Sequence, residues 1–156
     1  MNIDVRAEVT VGRPLAEVFE AAAGRVDNLA KYFTGYAALI PAIVSASYDD
    51  GEAPRAGSLR TVKLSDGSAI KERVLAFEPN RAHDYDMAEM NTLQKLICTN
   101  MVSRWRFSER ASTTRVVWDY TIEARPLLAP LGWLTAQLFE RAMQRCLDNL
   151  QRDLKA

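Results

Sequence analysis

Apolar and polar residues alternate with period two through most of this chain, and helical spacing is confined to two stretches near the start and one at the end. Ile3, Val5, Ala7, Val9 and Val11 share one side of an opening strand, because successive strand side chains point to opposite faces. Gly12-Arg13-Pro14 stops it. Pro14 suits the first turn of a helix carried by Leu15, Val18, Phe19 and Ala22 and ended by Gly24. Leu29, Tyr32, Phe33 and Tyr36 predict a second short helix over residues 28–36, capped by Asp27. No other helix is expected before residue 125. Six strands follow, at about 39–48, 58–64, 68–77, 82–88, 98–108 and 113–124, broken by Gly-, Pro-, Asp- and Asn-rich turns. Pro126 and Pro130 separate the last strand from a long helix over residues 131–155. Its apolar stripe is Leu131, Leu134, Leu138, Phe139, Ala142, Met143, Cys146, Leu147, Leu150 and Leu154.

The turns set the strand registers. A three-residue loop Ser65-Asp66-Gly67 pairs Leu64 with Ser68, Val62 with Ile70 and Arg60 with Glu72, which gathers Leu64, Val62, Ile70 and Val74 on one face. A one-residue slip would mix charged and apolar residues on both faces. Pairing Glu78 with Arg81 across the next turn sets Val74 opposite Tyr85 and Glu72 opposite Met87. It also turns Leu75 and Phe77 outward, unless a bulge reorients them or they meet another subunit. Met101, Ser103, Trp105 and Phe107, then Val116, Trp118, Tyr120 and Ile122, complete the inner face.

A seven-stranded sheet in a chain of 156 residues needs cover, and the terminal helix is the one element long enough, at ~1.5 Å per residue. The expectation is a single α+β domain over residues 1–156, a curved antiparallel sheet wrapped round the helix with a gap between them. A dry gap of ~300 Å³ would cost about 7 kcal/mol at ~24 cal/mol per Å³, comparable with a whole domain's stability. Occupancy by an apolar ligand, ordered water or partial collapse is therefore expected.

Charge narrows the partners. Lys plus Arg equals Asp plus Glu at 20 each, with no basic stripe, which argues against a nucleic-acid partner. No apolar run approaches the ~20 residues of a membrane span, and the opening strand does not read as a secretory signal. Cys98 and Cys146 stand far apart and read as reduced thiols in a cytoplasmic protein, a disulfide remaining open. One histidine and two dispersed cysteines point to no metal, and no nucleotide fingerprint or nucleophile elbow calls for a cofactor.

The order strand, two short helices, six strands, long helix resembles the helix-grip fold of the START-like (SRPBCC) superfamily. RPLAEVFE, KYFTGYAALIP, GSLRTVKLSDGSAIKERVLAFEPNRAHDYDM, TTRVVWDYTIEARP and LDNLQRDL are similar to its bacterial polyketide cyclase/dehydrase-like branch. The resemblance implies a cavity between sheet and terminal helix that accepts an apolar small molecule. It implies no catalytic set, because the superfamily spans carriers, cyclases and other activities.

The expected cavity residues are Tyr32, Phe33, Arg60, Glu72, Tyr85, Met87, Met101, Ser103, Trp105, Trp118, Tyr120, Leu138, Ala142 and Cys146, with the second helix and the 49–57 loop at the mouth. Arg60 and Glu72 are the sharpest pair. The plainer reading is a fixed ion pair, since burying either charge alone is costly. The functional one has Arg60 bind a ligand carboxylate or enolate while Glu72 orients it or acts as a base. His83 begins a strand just after a turn, where exposure is expected, and a base role would require it to reach a substrate proton. Tyr85, Ser103 and Tyr120 offer hydroxyls to a ligand or are ordinary core, and Trp105 and Trp118 read as packing. The leading expectation is binding of an apolar or amphipathic molecule of lipid, polyketide or aromatic type by a monomer or homodimer. The rivals are a cyclase/dehydratase-like enzyme using Glu72, Tyr85 or His83, and an interaction module built on Leu75 and Phe77.

Overall fold

Strand β1 (Asn2–Val11) turns every second residue from Ile3 inward, as its alternation requires, with Val9 half-buried and the others buried, and lies antiparallel to β7 (Thr113–Ala124). Between them run β2 (Ile43–Tyr48), β3 (Leu59–Leu64), β4 (Ala69–Glu78), β5 (Ala82–Glu89) and β6 (Cys98–Arg110). The computed structural model describes residues 1–155, and among these the strands form one antiparallel sheet in the order β1-β7-β6-β5-β4-β3-β2. Helices α1 (Leu15–Phe19), which widens into a π-turn over Glu20–Gly24, and α2 (Asn28–Tyr32) join β1 to β2. Helix α3 (Thr92–Ile97) joins β5 to β6, and α4 (Ala129–Lys155) ends the chain. This is the α+β helix-grip arrangement.

The β3–β4 hairpin has the expected register, with Arg60 opposite Glu72, Thr61 opposite Lys71 and Val62 opposite Ile70. Gly67, at φ +88°, takes the left-handed position that the three-residue loop demands. The β4–β5 turn is one residue longer than expected. Glu78 pairs with Ala82, and Asn80 takes the left-handed conformation. A bulge between Val74 and Ala76 then restores Val74 opposite Tyr85 and Glu72 opposite Met87. That extra residue turns Phe77 inward, edge-on to Phe19 at 5.4 Å, and leaves Leu75 outside. It also sets Phe77 opposite His83, so His83 lies inside the sheet and is buried, not exposed.

The helices differ more from expectation. Helix α2 stops at Tyr32, and Asp27 makes no side-chain cap. Beyond it Gly35, Ala37 and Ala38 all have positive φ, and Tyr36 bridges Ile40, so a tight coil replaces the last predicted turn and shortens β2. A Cβ on Gly35 would stand 2.3 Å from the Ile40 carbonyl oxygen. Helix α3 was not expected; a reciprocal capping box between Asn91 and Gln94 starts it. Pro130 lies inside the first turn of α4 instead of before the helix, where its missing N–H costs nothing. At this end the tightly packed residues are Gly132 and Ala136, while Leu131 and Leu134 stay substantially exposed. A Cβ on Gly132 would lie 3.1 Å from the Ala124 Cβ and 3.5 Å from the Ile3 Cδ1. The small residues therefore seat the start of α4 against the β1/β7 edge.

Candidate ligand-binding cavity

With α4 drawn to that edge, the larger side chains beside its small face look across an unfilled space. This cavity has a volume of about 320 Å³. Leu131, Leu134, Thr135, Leu138 and Phe139 of α4 form one wall. The sheet supplies Ile43, Leu64, Ile70, Met87, Met101, Trp118, Tyr120 and Ile122. Leu29 and Phe33 come from α2 and its end, Leu39, Ile40 and Pro41 from the coil after it, and Leu93, Gln94 and Ile97 from α3. The mouth is framed by that coil, the Asp66 turn, α3 and the start of α4; the 49–57 loop takes no part.

Aromatic rings on and behind this wall pack against one another. Trp105 stacks on Trp118 at 4.2 Å, Phe33 meets Trp118 edge-on at 6.2 Å, and Tyr120 meets Phe139 edge-on at 4.8 Å. The Trp118 indole donates to Ser103 Oγ at 2.8 Å, and the Trp105 indole donates to the Tyr85 hydroxyl at 3.4 Å. Both indole N–H groups are thus satisfied in a water-poor core, as buried polar groups must be.

One end is polar. Arg60 Nε donates to Glu72 Oε2 at 2.7 Å, and Arg60 Nη2 donates to the same oxygen. The two side chains are 4% and 8% exposed. Arg60 Nη1 approaches His83 Nε2 at 3.5 Å, and the guanidinium carbon lies 4.7 Å from the Tyr85 ring centroid and 5.9 Å from that of Tyr48, within cation–π range. Burial alone would weaken the hold of Arg60 on its proton, but the carboxylate of Glu72 and the nearby Tyr85 and Tyr48 outweigh it, and the net shift is upward. His83 is driven the other way, down to about 3, first by burial and then by the Arg60 charge. Its imidazole is therefore neutral at physiological pH, and its Nδ1 makes no hydrogen bond. Burial, reinforced by the Glu72 charge, pushes Tyr85 up to about 12. Burial, with Tyr85 and Glu72 adding to it, holds Tyr120 well above the ordinary phenol value.

The expected site residues thus divide. Phe33, Arg60, Glu72, Tyr85, Met87, Met101, Trp118, Tyr120 and Leu138 stand on the cavity wall. Tyr32, Ser103, Trp105, Ala142 and Cys146 are buried but off it. The Tyr32 hydroxyl is committed to Asp153 at 2.7 Å, Ser103 and Trp105 support the residues in front of them, and Ala142 and Cys146 belong to the lower half of α4, where packing is complete. His83 is also off the wall. The α3 residues were missed, although the Asn91-x-x-Gln94 pattern is a legible helix start. Among the described residues no cluster of His, Cys, Asp or Glu is arranged to hold a metal ion, and no helix is long and apolar enough to cross a membrane.

Solved structures share this architecture. Ara h 8.0201 superposes with a TM-score of 0.75 at 16% identity, covering 99% of this chain and 98% of that one. The major latex-like protein 151 of Panax ginseng gives 0.69 at 14% identity, with 97% of each chain covered. DynU16, a protein in the dynemicin biosynthetic locus, gives 0.70 at 22% identity, covering 98% of this chain and 47% of its own length. At such identities the likeness is one of fold. No curated protein matches the sequence. The family described as "Polyketide cyclase / dehydrase and lipid transport" matches residues 2–155, and the chain belongs to it.

Proposed function

We propose that this protein binds an apolar or amphipathic small molecule, of lipid, polyketide or aromatic type, in the space between the sheet and α4. The observation that carries this is the cavity itself: about 320 Å³, walled mainly by Leu, Ile, Met and aromatic side chains, with one buried polar end. Its size falls within the ~300–1,000 Å³ of small-molecule sites. Left dry and empty, it would cost about 8 kcal/mol at ~24 cal/mol per Å³, a large share of the ~5–15 kcal/mol available to a domain. Membership of a family described in part by lipid transport agrees with the reading. The two free, buried thiols suit a cytoplasmic setting.

Native mass spectrometry of freshly purified protein, followed by extraction, tests the proposal directly through a co-purifying mass. A ligand at a hundredfold excess over its Kd adds ~2.7 kcal/mol, which raises the Tm by about 5–10 °C for a chain of this size. No adduct, together with no thermal shift from a panel of fatty alcohols, phenols, polyketides and aromatic acids, would overturn it.

A cyclase or dehydratase activity has one observation on its side. Among the catalytic candidates, Glu72 lines the cavity and commits only Oε2 to Arg60, leaving Oε1 without a donor among the described residues. His83 is not on the wall, and Tyr85, pushed up to about 12 chiefly by burial, keeps its proton and so cannot be the base. Turnover surviving unchanged in a folded Glu72→Gln variant would remove Glu72 as the base.

A further inference from the structure

The polar end of the cavity is electrically matched before any ligand arrives, and this restricts the chemistry of what can sit against it. Arg60 turns its Nε–Nη2 edge, the edge that grips carboxylates as a fork, onto Glu72, while its Nη1 faces His83. His83 is neutral, so the surroundings hold one positive and one negative charge. A ligand carboxylate placed here would add a second anion beside Glu72, and an ammonium a second cation beside Arg60. Either would lie unpaired in a wall where the pair itself is less than one-tenth exposed, and an unpaired buried charge is the costliest polar group a site can hold.

At this end Glu72 and Tyr120 each keep a polar atom without a partner, and the Tyr85 hydroxyl, which accepts from Trp105, keeps its own proton to donate. Glu72 commits only Oε2 to Arg60, and no donor among the described residues reaches its Oε1. Tyr120 is 3% exposed and stands on the cavity wall, and its hydroxyl has no hydrogen-bond partner among the described residues. Tyr120 stays protonated at any physiological pH, because burial and the neighbouring Glu72 charge both oppose its ionisation. At its polar end the wall therefore presents a carboxylate acceptor, Glu72, and the phenolic donors of Tyr120 and Tyr85. A neutral hydroxyl suits either kind of group, since it can donate its proton to Glu72 and can accept from a tyrosine.

Resting on the reading of this cavity as the ligand site, we infer that it selects a neutral hydroxyl, a phenol or an alcohol at the end of an apolar body, over a carboxylate or an ammonium. This departs from the functional reading of the sequence, in which Arg60 binds a ligand carboxylate or enolate, and keeps to the plainer one of a fixed ion pair. The volume, about 320 Å³, is that of roughly ten water molecules at ~30 Å³ each. That limits the enclosed part of the ligand to about the size of a short-chain alkylphenol, with any longer tail leaving through the mouth past Leu39, Leu93 and Leu134.

The test is isothermal titration at neutral pH with four probes of one shape: para-hexylphenol, para-hexylbenzoate, para-hexylbenzylamine and hexylbenzene. The phenol should bind about tenfold or more tightly than each of the others, since a site with buried hydrogen-bonding groups discriminates against partners that leave them unpaired. Tyr120→Phe should cost the phenol about fivefold and leave hexylbenzene unchanged. Glu72→Gln, by leaving the Arg60 charge unmatched, should bring the benzoate ahead of the phenol. Should that variant fail to fold, the wild-type ranking and Tyr120→Phe decide alone. A benzoate, amine or hexylbenzene that binds as well as the phenol, or a phenol indifferent to Tyr120→Phe, overturns the inference and leaves the cavity as a ligand site. Failure of all four probes overturns both.

Discussion

Replacing Glu72 with glutamine is the sharpest perturbation of this fold. The amide keeps the shape of the side chain and can still accept from Arg60, so what disappears is the negative charge. Arg60 then stands with its side chain 4% exposed and no counter-ion in contact. At an effective dielectric constant of ~20, two unit charges ~4 Å apart interact by about 4 kcal/mol. Breaking a buried pair by removing one partner costs ~3–5 kcal/mol in measured cases. Both groups border the cavity, where water can partly solvate a stranded guanidinium, so the lower end, about 3 kcal/mol, is expected. For a chain of this length that is a fall in Tm of about 6–12 °C. Urea unfolding followed by far-ultraviolet circular dichroism measures it, and the double variant Arg60→Met/Glu72→Met closes the cycle. With both charges gone and the stems retained, the double variant should lie within about 2 kcal/mol of the wild type, on either side. A Glu72→Gln variant within about 1 kcal/mol of the wild type would refute the reasoning. The pair would then be solvated through the cavity, and the electrostatic selection inferred for the ligand would lose its basis.

His83 gives a pH signature. It is held to about 3 in the folded chain against ~6.5 when free, so the unfolded chain binds the proton first as the pH falls. Its contribution to stability is complete above pH ~6.5 and is lost towards pH 3, at up to ~1.4 kcal/mol per pH unit. Urea unfolding at pH 7 and pH 5 should show this loss in the wild type and not in His83→Phe; equal losses would disprove the assignment. Gly132→Leu should cost about 1–3 kcal/mol by overpacking against Ala124 and Ile3. Gly132→Ala should stay near neutral, because a helix gain of ~1 kcal/mol offsets the tight Cβ contact; thermal denaturation of both variants checks this. Leu138→Trp should fill the space beside α4 and abolish para-hexylphenol binding in titration without loss of fold. Asn91→Ala should remove the cap of α3 at about 1 kcal/mol, seen as faster amide exchange across Thr92–Ile97.

The sheet was legible because its turns are chemically specific. Ser65-Asp66-Gly67 admits one favoured loop length, and that length sets Arg60 against Glu72, so the central ion pair of the site followed from local turn chemistry. His83 was misplaced for a related reason: its position after a turn suggested exposure, while its parity with Tyr85 already set it on the inner face. The bulge at Val74/Ala76 has no single-residue signature. It is betrayed only by the outward Leu75 and Phe77 that an unbulged strand would have required. Helix α3 lay hidden because it is a six-residue insert between two strands; its signals, the i, i+3, i+4 spacing of Leu93, Leu96 and Ile97 and the capping pair Asn91 and Gln94, are each short.

The mouth of the cavity was unreadable for a deeper reason. Periodicity says which residues share a helix face, but not which of two adjacent faces lies closer to the sheet. Along α4 the leucines at 131, 134 and 138 form the more apolar stripe, and a rule based on hydrophobicity sends them into the core. Gly132 and Ala136 form a parallel stripe of small residues, and small residues permit the closest approach. The Ile3 and Ala124 side chains occupy the room beside Gly132 that a larger residue would need. The helix therefore settles on its small stripe, and its leucines are left facing open space. Below Phe139 the stripes merge: Ala142, Met143, Cys146, Leu147 and Leu150 are all buried, and the cavity closes. A void in the upper half of the molecule thus follows from where the glycine and alanine stand, and moving that bulk from the leucine stripe to position 132 should both shift the helix and collapse the space in which a ligand would sit.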